Sequence, residues 1–109
     1  GADVVPMDVL AGMVNGAARR YEEKHALPSD PEGRGGTVGY DYGFFLNALT
    51  KVGHPLAAEL YKTTLALVDE AGAWSEYYRD GKSYGCRCRP WESAINIYAV
   101  LTYLESLPA

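Results

Sequence analysis

An all-α fold, about four helices arranged as antiparallel α-hairpins, is the class this 109-residue sequence predicts. Three observations carry it. Apolar residues recur at three- and four-residue spacing in three separate stretches, the signature of an amphipathic helix. The link Gly53-His54 between the second and third stretches is so short that those helices must be antiparallel neighbours. The last stretch, from Pro90 onward, is apolar on nearly every side. One domain is expected at this length, built as two hairpins over residues 1–53 and 54–109.

The first helix is expected over about Pro6 to Lys24. Leu10, Met13, Val14, Ala17, Ala18 and Tyr21 form its stripe, and Arg19, Arg20 and Lys24 suit its C-terminal dipole. Pro28, Pro31, Gly33, Gly35 and Gly36 then make residues 25–39 a long loop. The second helix, about Tyr42 to Val52, carries Phe45, Ala48, Leu49 and Val52 on one face, with Asp41 as N-cap and Gly53 closing it. The third is expected from Pro55, a favoured first-turn residue, to about Ala71-Gly72, with Leu56, Leu60, Thr64, Leu67 and Val68 inward. Within the next loop, Arg79-Asp80-Gly81-Lys82 carries an Asp-Gly turn signal between tyrosines, consistent with a short hairpin. The fourth helix opens at Pro90-Trp91-Glu92. Its apolar girth reads as a helix buried on most sides, with Tyr98 and Tyr103 in the core, and as an inner helix of a larger assembly.

Alternating chain direction puts the loops 25–39 and 72–89 at one end of this bundle. Tyr40, Asp41, Tyr42, Trp74, Glu76, Tyr77, Tyr78, Arg87, Arg89, Trp91 and Glu92 then share one rim. The two hairpins echo each other, Gly39-Tyr40-Asp41-Tyr42 against Trp74-Ser75-Glu76-Tyr77, as repeats of an α/α solenoid or toroid do.

Composition narrows the partners. A net charge of −4 and a pI near 5.0 argue against nucleic acid, which needs a basic face. No apolar run approaches the roughly 20 residues that span a bilayer. No signal-peptide pattern opens the chain and no Met stands first, so a cytoplasmic fragment or processed product is expected, unless a targeting segment belongs to a longer parent. Cys86 and Cys88 are too few for a disulfide framework, and His25 and His54 are remote from them, so ordinary thiols and no metal or other cofactor are expected.

Trp74-Ser75-Glu76-Tyr77-Tyr78, Asp80-Gly81, Gly85 and Arg89-Pro90-Trp91-Glu92-Ser93-Ala94 together resemble the end of the catalytic domain in six-hairpin glycosidases, the α/α-toroid enzymes of glucoamylase-like, trehalase-like and debranching type. Thr37 to Gly43 looks like the rim of the preceding hairpin, so the resemblance covers about residues 37–106. It implies a C-terminal segment of an α/α toroid in a carbohydrate-active glycoside hydrolase. In the glucoamylase-like branch a Glu in a Glu-aromatic motif is the general base, a position Glu76 matches, and a Trp-containing motif opens the next inner helix, as Trp91 does. The family's toroid has six hairpins and this chain two. The general acid, which the family places on an earlier hairpin, has no counterpart here, so the chain alone is expected to be inactive.

Each site residue has a plainer reading. Glu76 is a candidate base, or a solvated carboxylate paired with Arg79, Arg87 or Arg89. Asp41 and Glu92 are candidate sugar contacts, or a cap and a first-turn carboxylate favoured by the dipole. Trp74, Trp91, Tyr40 and Tyr77 are candidate sugar-stacking rings, or packing residues. Arg87 and Arg89 bind hydroxyls or pair with acids. Two other classes stay open: a non-catalytic helical interaction module, and a toroid of the terpene-cyclising or lyase type. Expected partners are carbohydrate, together with a second copy or the rest of a toroid.

Overall fold

The computed structural model describes residues 6–32, 34, 36–87 and 90–108, the side chain of Arg87 excepted. Four helices form where the periodicity places them: α1 (Met7–Lys24), α2 (Asp41–Val52), α3 (Ala57–Ala66) and α4 (Pro90–Ser106). The fold is not all-α. Three strands, β1 (Thr37–Val38), β2 (Ser75–Arg79) and β3 (Lys82–Arg87), make an antiparallel sheet in the order β1-β2-β3. The Asp80-Gly81 turn explains half of this. Both residues have positive φ, 51° and 75°, the geometry of a tight hairpin whose twist matches its strands. The other half is β1, only two residues long, with Thr37 opposite Tyr78 and Val38 opposite Tyr77. Two residues carry no readable period, so nothing local marks it as a strand. That pairing joins the two long loops at one end, where chain direction places them.

Helix ends correct three further expectations. Asp41 is the first residue of α2 rather than its cap; Tyr40 holds the cap position and makes no side-chain capping bond. α3 starts two residues after Pro55, because residues 54–57 form a separate turn in which the His54 Nδ1 accepts the Leu56 N–H at 3.0 Å. It also stops early, at Ala66. The Asp69 carboxylate then gathers the N–H groups of Ala71 and Ala73, at 2.9 and 3.0 Å, into a side-chain-built turn. Gly53 ends α2 in the left-handed conformation, φ 68°, as predicted.

The core lies around α2, which packs against each of the other three helices. Leu46, Leu49 and Leu60 are fully buried, with Val14, Ala18 and Tyr21 of α1 and Ala99 and Val100 of α4 against them. α4 reverses the expectation set by its composition. The face it turns inward is half polar, with Glu92 and Asn96 fully buried beside Ala99 and Val100. Its apolar side chains face outward: Ile97, Tyr98, Leu101 and Leu104 are 43–64% exposed. Tyr98 is therefore no core residue, whereas Tyr103 is half-buried and stacks on Tyr61 of α3 with ring centroids 4.8 Å apart.

Glycine explains why α4 turns this way. A Cβ at Gly43 would stand 3.0 Å from the Asn96 Cα and the Ile95 carbonyl oxygen, so α2 and α4 touch backbone to backbone there. Only that approach lets the Asn96 amide reach across.

Candidate functional site

The rim is built around one amide. Asn96 Oδ1 accepts the Gly43 N–H at 2.8 Å, and its Nδ2 donates to the Gly39 carbonyl at 3.0 Å. One side chain of α4 thus holds the β1-α2 junction. The Gly39 N–H in turn donates to the Glu76 carbonyl at 2.7 Å, and a Cβ at Gly39 would collide with the Ser75 carbonyl. β1, β2, α2 and α4 meet here with no slack.

The base of the β2–β3 hairpin is anchored as firmly. Trp74 is buried; its indole N–H donates to the Thr64 carbonyl at 2.8 Å, and its backbone N–H donates to Ser93 Oγ at 3.3 Å. The Tyr78 hydroxyl accepts the Ser75 N–H at 2.8 Å and lies 3.4 Å from the Leu67 carbonyl, to which it donates.

Glu76 sits at an irregularity of the sheet. Ser75 pairs with Arg87 and Tyr77 with Tyr84, so two residues of β3, Gly85 and Cys86, stand opposite Glu76 alone. Gly85 has φ 74°, which marks a bulge with glycine in the left-handed region. The Cys86 N–H donates to Glu76 Oε2 at 3.1 Å, and a Cβ on Gly85 would come within 2.8 Å of that oxygen. The bulge therefore makes room for a half-buried carboxylate and supplies a backbone donor that orients it. Bulges commonly re-aim a side chain in this way beside functional sites.

Two exposed rings stand on the same hairpin, beside a groove that Glu76 itself does not line. Tyr77 and Tyr84 are direct cross-strand partners, 44% and 53% exposed. The Arg79 guanidinium lies 5.9 Å from the centre of the Tyr84 ring. With Gly36 and Tyr78 these residues line a groove of about 370 Å³. Trp91, in the first turn of α4, is 54% exposed at the same end.

The expected site residues separate into two groups. Tyr77 and Trp91 are exposed; Glu76 and Tyr40 are half-buried, Tyr40 edge-on to Phe44. Trp74, Asp41 and Glu92 are buried and join elements rather than face a ligand; the Asp41 Oδ2 accepts the Ser29 N–H at 2.7 Å and ties down the 25–39 loop. The Arg87 side chain, Arg89 and Cys88 lie outside the described residues. Cys86 is an exposed free thiol, and among the described residues no group of three His, Cys, Asp or Glu is placed to hold a metal ion. No described helix is long and apolar enough to cross a membrane. Sequence reasoning passed over Asn96, whose signal is a lone amide in a largely apolar helix, and named Gly85 only within the resemblance, without the bulge that a glycine inside a strand can signal.

Three tyrosines behind the sheet are perturbed by burial. Burial pushes the Tyr42 phenol up to about 12, with the neighbouring Tyr21 and Tyr78 adding to the shift, and burial raises Tyr21 and Tyr78 as well. Tyr42 meets Tyr78 edge to face, with centroids 5.7 Å apart. Above pH 10 an unfolded phenol ionises while the buried one resists, so the folded state binds more protons and loses stability as pH rises. Full stability is expected below pH 10, declining from there to about 12. Thermal unfolding followed across that range, with phenolate absorbance as the monitor, checks it. A flat profile would contradict the burial of these rings.

No family model, no curated protein and no solved structure matches this chain.

Proposed function

We propose that this chain is the C-terminal part of a carbohydrate-active glycoside hydrolase that cleaves glycosidic bonds by general acid/base hydrolysis, with Glu76 as the base that activates water. The observation that carries the reading is the bulge: Glu76 is held at a sheet irregularity by the Cys86 N–H, next to the exposed rings of Tyr77 and Tyr84. Flat rings suit the C–H faces of a sugar, and a carboxylate suits the water or hydroxyl beside it. The six-hairpin resemblance of residues 74–94 supports the same role. Trp91 and Tyr77 form the aromatic wall, while Asn96, Asp41, Trp74 and Glu92 hold the scaffold.

Inverting hydrolysis uses two carboxyl groups about 6.5–9.5 Å apart. The general acid is expected elsewhere in the parent protein, so the 109-residue chain is expected to bind oligosaccharide without cleaving it. Calorimetric titration with a panel of gluco-oligosaccharides tests this. Binding is expected, and Trp91→Ala is expected to weaken it about 5–50-fold, roughly 1–2.3 kcal/mol and comparable to the loss of one stacked ring. Absence of binding across the panel, or unchanged affinity in Trp91→Ala, would count against the reading.

One observation favours a second reading, a helical interaction module. Ile97, Tyr98, Leu101 and Leu104 of α4 and Phe44 of α2 are all at least 43% exposed, and apolar patches of this kind mark interfaces. Under it the chain self-associates through α4. Light scattering is then expected to give a mass above 11.9 kDa that Leu101→Glu returns to the monomer value.

A further inference from the structure

A cavity of about 300 Å³ lies apart from Glu76, between the C-terminal end of α1, α3 and the inner side of β1 and β2. Five hydroxyl-bearing residues line it, Tyr21, Tyr42, Tyr78, Thr37 and Thr63, the Tyr78 hydroxyl being already bonded to the Ser75 N–H and the Leu67 carbonyl. Tyr42 is hydrogen-bonded to Thr37, and Tyr21 to Thr63. A hydroxyl offers one donor and two acceptor lone pairs, so each Tyr–Thr pair, after its mutual bond, keeps one donor and three lone pairs. Such a surface takes a ligand that both donates and accepts many times.

The charged groups in the lining select no ion. Lys24 and His25 stand with Asp30 and Asp80, opposite signs around one cavity. The hydroxyl lining itself is neutral, since burial keeps the phenols protonated through ordinary pH. An anion or cation entering it would shed water against groups that give no compensating charge. Size is limiting too: small-molecule pockets run from about 300 to 1,000 Å³, so this one holds a single ring rather than a chain. Ring edges of Tyr42, Tyr78 and Tyr21 supply the apolar part of the wall.

We infer that this cavity is a second binding site, for a neutral polyhydroxylated ring the size of one monosaccharide, received by the hydroxyls of Tyr21, Tyr42, Thr37 and Thr63. It does not depend on catalysis, because Glu76 is not among the lining residues. A free monosaccharide and the terminal unit of a glycan present the same chemistry.

The test is an amide-resolved NMR titration of the 109-residue chain with D-glucose, D-mannose, myo-inositol and maltotriose, with sodium phosphate and choline chloride as charged controls. One or more of the single-ring compounds is expected to shift the amides of Thr37, Thr63 and Leu67 in the millimolar range and to give intermolecular contacts to the Tyr21 and Tyr42 rings. Thr63→Val and Tyr42→Phe each remove one hydroxyl and keep the shape; each is expected to weaken binding about 3–10-fold, the worth of one hydrogen bond. The ring contacts are read on the unaltered chain, so they decide the matter even if a variant fails to fold. A shift by maltotriose as well assigns the site to a glycan end; a shift by single rings alone assigns it to a free sugar. No shift at these amides up to about 100 mM, equal affinity in both variants, or a stronger response to phosphate or choline overturns the inference. Trp91→Ala separates the two sites, because Trp91 belongs to the rim and is not among the cavity's lining residues. Binding that it leaves unchanged belongs to the cavity, and binding that it weakens about 5-fold or more belongs to the rim and sinks the second site.

Discussion

Asn96→Ala is expected to cost about 2–6 kcal/mol of folding stability, a large share of the total. Two buried backbone groups lose their partner at once, the Gly43 N–H and the Gly39 carbonyl. Each buried group left unpaired costs about 1–3 kcal/mol. Neither can turn to water, because Asn96 is fully buried and α2 lies against α4 at Gly43. A domain of this length holds only about 5–15 kcal/mol in total. Asn96→Leu fills the space yet leaves both groups unpaired, so a similar loss is expected from it. That pair of variants separates hydrogen bonding from packing. Denaturant unfolding followed by circular dichroism gives both values. If Asn96→Ala stays within about 0.5 kcal/mol of the parent, the amide is not the clasp described here.

Glu76→Gln is expected to lower hydrolysis by the intact parent protein about 10²–10⁴-fold, the usual cost of removing a general base. The amide keeps the size of the carboxylate and keeps an oxygen to accept the Cys86 N–H, so the bulge survives. What it loses is the ability to take a proton from water. Substrate affinity is expected to stay within a few-fold, since Tyr77, Tyr84 and Trp91 are untouched. A fall in turnover with little change in affinity is the pattern of an interaction made only in the transition state. Gly85→Ala offers a positional check. Its added Cβ would crowd Glu76 Oε2 at 2.8 Å and strain a φ of 74°, so it is expected to impair turnover by displacing a carboxylate it leaves chemically intact. Hydrolysis within a few-fold of the parent in Glu76→Gln would make this position a structural one.

Much of the scaffold is legible along the chain. Val14, Ala18 and Tyr21 at spacing four and three mark the buried stripe of α1, and Gly53 marks the end of α2. Asp80-Gly81 marks the hairpin turn. Each is a local pattern, set by residues within one turn of one another. Which of the candidate side chains stay exposed was not legible: Tyr77 and Trp91 are exposed and Glu76 is half-buried, while Trp74, Asp41 and Glu92 are drawn into the interior. An acid or a ring looks the same in sequence whether its neighbours cover it or not. Trp74 shows how this is decided: its indole N–H finds the Thr64 carbonyl ten residues away, which makes it an anchor of the hairpin.

By itself the sequence determined four helices, their order, the hairpin turn and the meeting of both long loops at one end, because period, caps and connection length act over a few residues. The tertiary structure alone decided the third strand, the face that α4 turns inward and the clasp at Asn96. β1 exists only because β2 lies beside it, some 40 residues further on. The Asn96 bonds span 53 and 57 residues. α4 is apolar on so many sides that its own pattern favours no face. The choice falls to its partner: Gly43 lets two backbones touch, and a buried N–H and carbonyl there must find a polar group, which only the Asn96 side of the helix provides.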